Sequence, residues 1–230
     1  MKRMLVLVPY RDREAHLRKF LPTFQEFMAA HAAQIPYSIC TIEQADSQLF
    51  NRGKLLNIGF DLYHSCADYV CYHDVDMLPE SEACDYSYPD NPTQLALYLS
   101  RWNYEIRRPS GFDISKEYFG GVTLMKQEHV RLINGFSNGY WGWGAEDNDL
   151  YQRCLAKGLR FDHRPGRFFC LPHADQDQDD PLVKHNRERR KIKVASGMAD
   201  MDEDGLNALH YTVLEEVVLS PGIRKVRVRL

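Results

Sequence analysis

The sequence has no CxxC pair, no GxGxxG, no GxxxxGKS/T and no internal repeat, and its first apolar run, Met4–Val8, stops after five residues. Each absence excludes a class. Five apolar residues are too few for a signal-peptide core and far too few to span a bilayer, so no integral membrane segment is expected. Without either glycine-rich fingerprint, ordinary dinucleotide and P-loop binding drop out, and any phosphate must be held by other means. The six cysteines, Cys40, Cys66, Cys71, Cys84, Cys154 and Cys170, are scattered, several of them in apolar contexts. They read as small reduced hydrophobes rather than as a disulfide framework. Excess charge is lacking as well: a formal net charge of -3 gives no bulk attraction for nucleic acid or an anionic membrane, although Arg187–Lys191 is a local basic run.

What is there is a chain of 230 residues, 44% apolar, enough for one substantial core and a single domain over residues 1–230. Met4–Val8 suits a strand buried on both faces. Residues 12–31 place Leu17, Phe20, Leu21, Phe24, Phe27 and Met28 at helical spacing, with Asp12 as the N-cap and Pro22 placed to kink or divide the helix. A strand over Tyr37–Glu43, a helix over Lys54–His64 and a strand over Tyr69–His73 follow. This alternation predicts an α/β fold with a Rossmann-like, mostly parallel sheet, whose ligands bind beyond the carboxyl ends of the strands. Residues 1–80 thus read as a nucleotide-binding half. Residues 81–230 add strands over Gln94–Leu99 and Tyr118–Met125, helices over Lys126–Ile133 and Glu146–Lys157, and a terminal hairpin of Tyr211–Val218 and Ile223–Leu230.

Two strand ends carry acids. In Asp74-Val75-Asp76, residues two apart in an extended segment point the same way, so both carboxylates can face one crevice and share a divalent cation with a diphosphate. Hard oxygen donors suit Mg2+ or Mn2+; the rival reading is an Asp-rich turn that merely ends a strand. His173 and Asp175 repeat the two-residue spacing after the apolar stretch Phe168–Leu171, and one imidazole with carboxylates favours Mn2+ over Ca2+. There the rival is a solvated acidic loop with an incidental histidine.

Tyr140–Asp149, YWGWGAEDND, packs three rings, two glycines and three carboxylates into ten residues. A surface loop gains nothing from exposing two tryptophans, so something must cover them. Trp141 and Trp143 offer apolar faces to a sugar ring, and Gly142 and Gly144 allow close backbone approach. Glu146 and Asp147 diverge by about 100° at a helix start, which suits gripping two different hydroxyls rather than one atom. A helix cap with tryptophans plugging the core is the alternative.

Taken in order, VPYRDREAHL, FNRGKLLNIGF, YHDVDMLP, YFGGVTLMKQEHVRLINGF, YWGWGAEDNDLYQR, the histidine segment and the hairpin resemble the beta-1,4-galactosyltransferase family, and most closely its xylosylprotein branch. The resemblance implies a GT-A fold, Mn2+ as cofactor, and UDP-galactose and a saccharide acceptor as partners. It implies that Pro9, Tyr10, Arg11, Arg13, Phe50 and Arg52 frame the uridine and diphosphate, with Asp74 and Val75 toward the nucleotide sugar. Asp76 and His173 become metal ligands, and Asp175 stands where that branch has a second histidine. Tyr118 matches a position where tyrosine favours galactose over N-acetylgalactosamine. Trp143 bridges donor and acceptor, Gly144 and Glu146 bind the acceptor, and Asp147 is the catalytic base. Residues 81–230 would then bind the acceptor and complete the metal site. Asn148 replaces an acid common in the family and Ala145 a common glycine, which puts acceptor choice at that point. With Met1 leading straight into the first strand, a bacterial cytoplasmic enzyme is expected, and a Golgi-lumen location only for a trimmed catalytic domain. A UDP-N-acetylgalactosamine or UDP-glucose transferase, a glycoside hydrolase and a noncatalytic sugar-binding module are the other functions compatible with these residues.

Overall fold

The structure, a computed structural model, describes residues 1–106, 118–173 and 179–230. In chain order its elements are β1 (Met4–Tyr10), α1 (Glu14–His31), β2 (Tyr37–Gln44), α2 (Arg52–Tyr63), β3 (Tyr69–His73), β4 (Met77–Pro79), β5 (Thr93–Leu99), β6 (Val122–Lys126), α3 (Gln127–Leu132), α4 (Glu146–Ala156), β7 (Asp162–Cys170), α5 (Pro181–Ala195), β8 (Thr212–Ser220) and β9 (Ile223–Arg229). One nine-stranded sheet runs in the order β4-β7-β5-β6-β3-β1-β2-β9-β8. Its centre, β3-β1-β2-β9, is parallel throughout, and antiparallel pairs lie to either side, β3-β6 and the β8-β9 hairpin among them. This is the expected α/β architecture with its terminal hairpin.

Burial explains the apolar runs. Every residue of β1 is buried. Met4, Val6 and Val8 pack on one face with Phe20, Phe24 and Phe27 of α1, while Leu5 and Leu7 pack on the other with Leu55, Leu56 and Ile58 of α2. A strand covered on both faces has no position left for a polar side chain. A Cβ at Gly59 would lie 2.8 Å from Leu7 and 2.9 Å from Ile42, so glycine is what lets α2 settle directly on β1 and β2. All six cysteines are free thiols, five of them buried.

Several boundaries differ from expectation for local reasons. The residue before α1 is Arg13, not Asp12; Asp12 has φ 53, a turn conformation outside the helix. Pro22 lies inside α1 without dividing it, because it is on the exposed face, where solvent can bond the Arg18 carbonyl that proline leaves unpaired. Helix α2 begins two residues earlier than its apolar pattern because Asn51 caps it, accepting from Lys54 N at 2.9 Å. Tyr118–Gly121 precede β6 rather than forming part of it, and Gly121 turns there with φ 80. Helix α5, unforeseen in the sequence, starts with Asp180 accepting from Leu182 N at 2.7 Å and Pro181 in its first turn. Its buried residues are Val183, Asn186 and Lys193, so it shows almost no apolar periodicity. Among the described residues no helix is long and apolar enough to cross a membrane.

Candidate active site

Arg52, the first residue of α2, joins the two acidic motifs. Its Nε lies 2.7 Å from Asp74 Oδ1, just past the end of β3, and its Nη1 lies 2.6 Å from Asp147 Oδ1, at the start of α4. Glu146 Oε1 is 3.8 Å from the same Nη1. Three carboxylates thus face one guanidinium whose side chain is 12% exposed. The acid excess bears on the carboxyl groups themselves. Burial pushes Asp74 up to about 6 against the pull of Arg52, and burial together with the Asp147 charge pushes Glu146 up to about 8. For Arg52 itself burial opposes the charged form, but Asp147, Asp74 and Glu146 together raise it.

The aromatic loop is held in place mainly through its backbone. Gly142 N donates to Phe50 O at 2.8 Å, and Asn186 of α5 donates to the Trp141 and Trp143 carbonyls at 2.9 and 3.1 Å. Gly142, Gly144 and Ala145 all have positive φ. At Gly142 a Cβ would also meet Leu182 at 2.3 Å, whereas at Gly144 no described atom lies within 4 Å, so Gly144 serves its dihedral alone. The two rings have different fates. Trp141 is half-buried with Lys54 Nζ 5.8 Å over its ring, while Trp143 is 44% exposed, an apolar face of the kind a sugar ring covers. Beneath them, Tyr140 OH donates to Asp149 at 2.9 Å, and Asp149 and Arg153, both fully buried, pair at 2.7 Å. Asp147 lies against Gly120, where a Cβ would fall 2.0 Å from Oδ2. Asn148 is half-buried in the same turn.

Asp76 and His173 also meet. His173 Nε2 is 3.0 Å from Asp76 Oδ2, and Arg101 Nη2 is 3.3 Å from the same oxygen. Burial alone would push Asp76 up, but the His173 hydrogen bond and the Arg101 charge hold it below the ordinary carboxylate range. An imidazole nitrogen and a carboxylate oxygen so placed fit one ion, since two ligands each about 2.1 Å from a metal and at right angles are about 3 Å apart. Among the described residues no group of three or more His, Cys, Asp or Glu gathers there, and Asp175 lies outside them.

The remaining expected residues divide. Arg11 stacks over Phe50 at 5.7 Å and donates to Gln48 O at 2.5 Å, beside an open cavity of about 370 Å³ that Glu43, Asp46 and Arg227 also line. Arg13 is half-buried at the start of α1. Pro9 and Tyr10 are packed into the sheet, with Tyr10 OH donating to Glu43 at 3.1 Å, and Val75 is buried. Tyr118 packs edge-on against Trp102 at 5.2 Å. The sequence reading missed Arg101, Gly120 and Asn186. The glycine was visible inside YFGG, but nothing in sequence shows that Asp147 needs its space.

Two family models match this chain in order, one described as the N-terminal region of glycosyl transferase group 7 over residues 1–89, the other as the N-terminal domain of galactosyltransferase over residues 100–174. Human beta-1,4-galactosyltransferase 7 is 33% identical over 222 residues, covering 96% of this chain and 64% of that protein. The chain belongs to the beta-1,4-galactosyltransferase family. It spans less than two thirds of the length of that curated relative. Among solved structures, the catalytic domain of Drosophila beta-1,4-galactosyltransferase 7 in complex with xylobiose is 26% identical with a TM-score of 0.79, matching all of this chain and 94% of that one. A mutant of the Drosophila enzyme in complex with manganese, UDP-Gal and xylobiose is 27% identical with a TM-score of 0.72, again over all of this chain and 94% of its own. The fold is that of GT-A glycosyltransferases, as the resemblance implied. These relatives are animal proteins, which lends no support to the expected bacterial source.

Proposed function

We propose that this member of the beta-1,4-galactosyltransferase family transfers galactose from UDP-galactose to a sugar hydroxyl with inversion, forming a β-1,4 linkage, with a xyloside as acceptor and Mn2+ as cofactor. Residues 1–230 act as one catalytic domain. The observation that carries the reading is the Arg52 junction, which sets the Asp74 end of β3 against Asp147 and Glu146 at 2.7, 2.6 and 3.8 Å. A donor-side acid and an acceptor-side acid so close share one reacting centre. The xylobiose complexes of the Drosophila relatives support the acceptor, and the manganese and UDP-Gal of one of them support the cofactor and donor.

In this reading Asp147 takes the proton of the acceptor hydroxyl as that oxygen attacks the anomeric carbon opposite UDP. One C–O bond forms, the bond to the diphosphate breaks, and no covalent enzyme intermediate arises. Arg52 orients the base by binding one carboxylate oxygen, while the other rests in the space Gly120 leaves. Glu146 anchors a second hydroxyl, the exposed Trp143 face carries the sugars, and Gly144 and Asn148 border the acceptor. Arg11, Arg13 and Phe50 frame the uridine and diphosphate above the packed Pro9 and Tyr10, with Asp74 and Val75 at the nucleotide sugar. Tyr118 selects galactose. Asp76 and His173, with Asp175 as a further ligand, would hold Mn2+, which supplies neutralising charge to a departing diphosphate.

The test incubates the protein with UDP-galactose, Mn2+ and a panel of xylosides, glucosides and N-acetylglucosaminides, with UDP-glucose and UDP-N-acetylgalactosamine as competing donors, reading UDP release and product linkage. A β-1,4-galactosyl xyloside whose formation stops on chelation is the expected result. Cleavage of free glycosides after chelation would instead mark a hydrolase.

A further inference from the structure

Asp76 Oδ2 carries two partners at once, His173 Nε2 at 3.0 Å and Arg101 Nη2 at 3.3 Å. A guanidinium stays charged at every physiological pH, so it cannot yield that oxygen to a divalent cation by losing a proton. It can only move. We propose that Arg101 is a diphosphate-binding residue whose guanidinium exchanges partners, from the Asp76 carboxylate to the diphosphate of the nucleotide sugar, when a divalent cation takes up Asp76. The inference rests on the metal-dependent UDP-sugar reading above.

Arg101 is placed for such an exchange. It sits in the short 3-10 turn Ser100–Trp102 that follows β5, and Ser100 Oγ accepts from Cys170 N at 2.8 Å. Cys170 ends β7, three residues before His173, so one hydrogen bond fixes the base of the arginine relative to the strand that delivers the histidine. The Arg101 side chain is the more exposed of the pair, 31% against 14% for Asp76. Among the described residues the nearby acids have cations: Arg52 is 2.7 Å from Asp74, and Arg167 is 3.6 Å from Glu80, which also accepts from Tyr104 OH at 2.6 Å. A guanidinium displaced from Asp76 therefore finds its new anion in the ligand, and its planar fork matches phosphate oxygens. The same residue would compete with the metal before nucleotide arrives and assist binding of the diphosphate afterwards.

Those two roles have opposite signs in one variant. Mn2+ affinity without nucleotide, from electron paramagnetic resonance of free Mn2+, and UDP affinity at saturating Mn2+, from calorimetry, are measured for wild type, Arg101→Gln and Arg101→Lys. Arg101→Gln is expected to bind Mn2+ about tenfold more tightly and UDP at least about tenfold more weakly, the scale of one charged hydrogen bond. Arg101→Lys, which keeps the charge and loses the fork, should fall between and also serves if the glutamine variant does not fold. Unchanged or weakened Mn2+ binding in the variants, or unchanged UDP binding, overturns the exchange. A wild-type protein that binds neither Mn2+ nor UDP overturns the functional reading instead.

Discussion

At Arg52 a single side chain faces three carboxylates, those of Asp74, Glu146 and Asp147. Asp147 is oriented by a 2.6 Å ion pair, and Asp147→Asn, which keeps its shape but cannot take a proton, should lose about 10²-fold or more in kcat. UDP binding with Mn2+ should persist in that variant, and near-normal turnover would remove Asp147 from its role. Gly120→Ala forces a Cβ to within 2.0 Å of the Asp147 carboxylate. It should lower kcat while leaving the UDP affinity near wild type, because the donor side is untouched. Glu146 gives a pH signature. Its folded value is near 8 against an ordinary 4.5, so across that window the folded protein keeps a proton that the unfolded chain has lost, and stability falls as pH rises. Glu146→Gln should therefore melt several degrees higher than wild type at pH 8 and alike near pH 4, as thermal unfolding at the two pH values would show. The acids and tryptophans of YWGWGAEDND stood out in the sequence as a candidate sugar site; the residues that contact them did not, since Arg52 was expected only at the nucleotide, and glycine, asparagine and a lone arginine carry no periodic or spacing signal.

Among the elements, α4 and α5 show most clearly how packing overrides pattern. Helix α4 was foreseen from its apolar positions, but what seats it is the fully buried Asp149–Arg153 pair one turn apart, with Arg153 also 3.4 Å from Asp204 and Lys193 of α5 3.0 Å from that same acid. Removing one member strands a charge in the interior. Arg153→Met should cost about 3–5 kcal/mol, read as a lower urea midpoint, and a loss below about 1 kcal/mol would mean that Lys193 compensates. Since Glu146 and Asp147 ride on the first turn of α4, the same variant should lower kcat as well. Helix α5 escaped detection because its buried face is made of Val183, Asn186 and Lys193, one apolar residue and two polar ones satisfied by the aromatic loop and by acids. Strand β1 is the opposite case: seven consecutive buried residues made it readable at once.

For the whole molecule, the sheet order brings the site together. β3 lies beside β1 and β6, and β7 pairs with both β4 and β5, so residues near 52, 74, 101, 147 and 173 converge at one end of the sheet. A cation that binds Asp76 and His173 binds only the folded arrangement and should raise the melting temperature by mass action. Mn2+ should therefore shift the melt of wild type upward, and Asp76→Ala should abolish the shift; an equal shift in both would place the ion elsewhere.

The sequence by itself determined the α/β architecture, the terminal hairpin and the family, because these follow from burial periodicity and from short motifs read in order. The tertiary structure alone decided that Arg52 bridges Asp74 and Asp147, that Asp147 rests in the space of Gly120, that Trp143 is exposed while Trp141 is half-buried, and that Arg101 shares an oxygen of Asp76 with His173. The reason is physical. Local propensity acts within a few residues, whereas an ion pair between positions 95 apart in the chain exists only once the sheet has chosen its strand order.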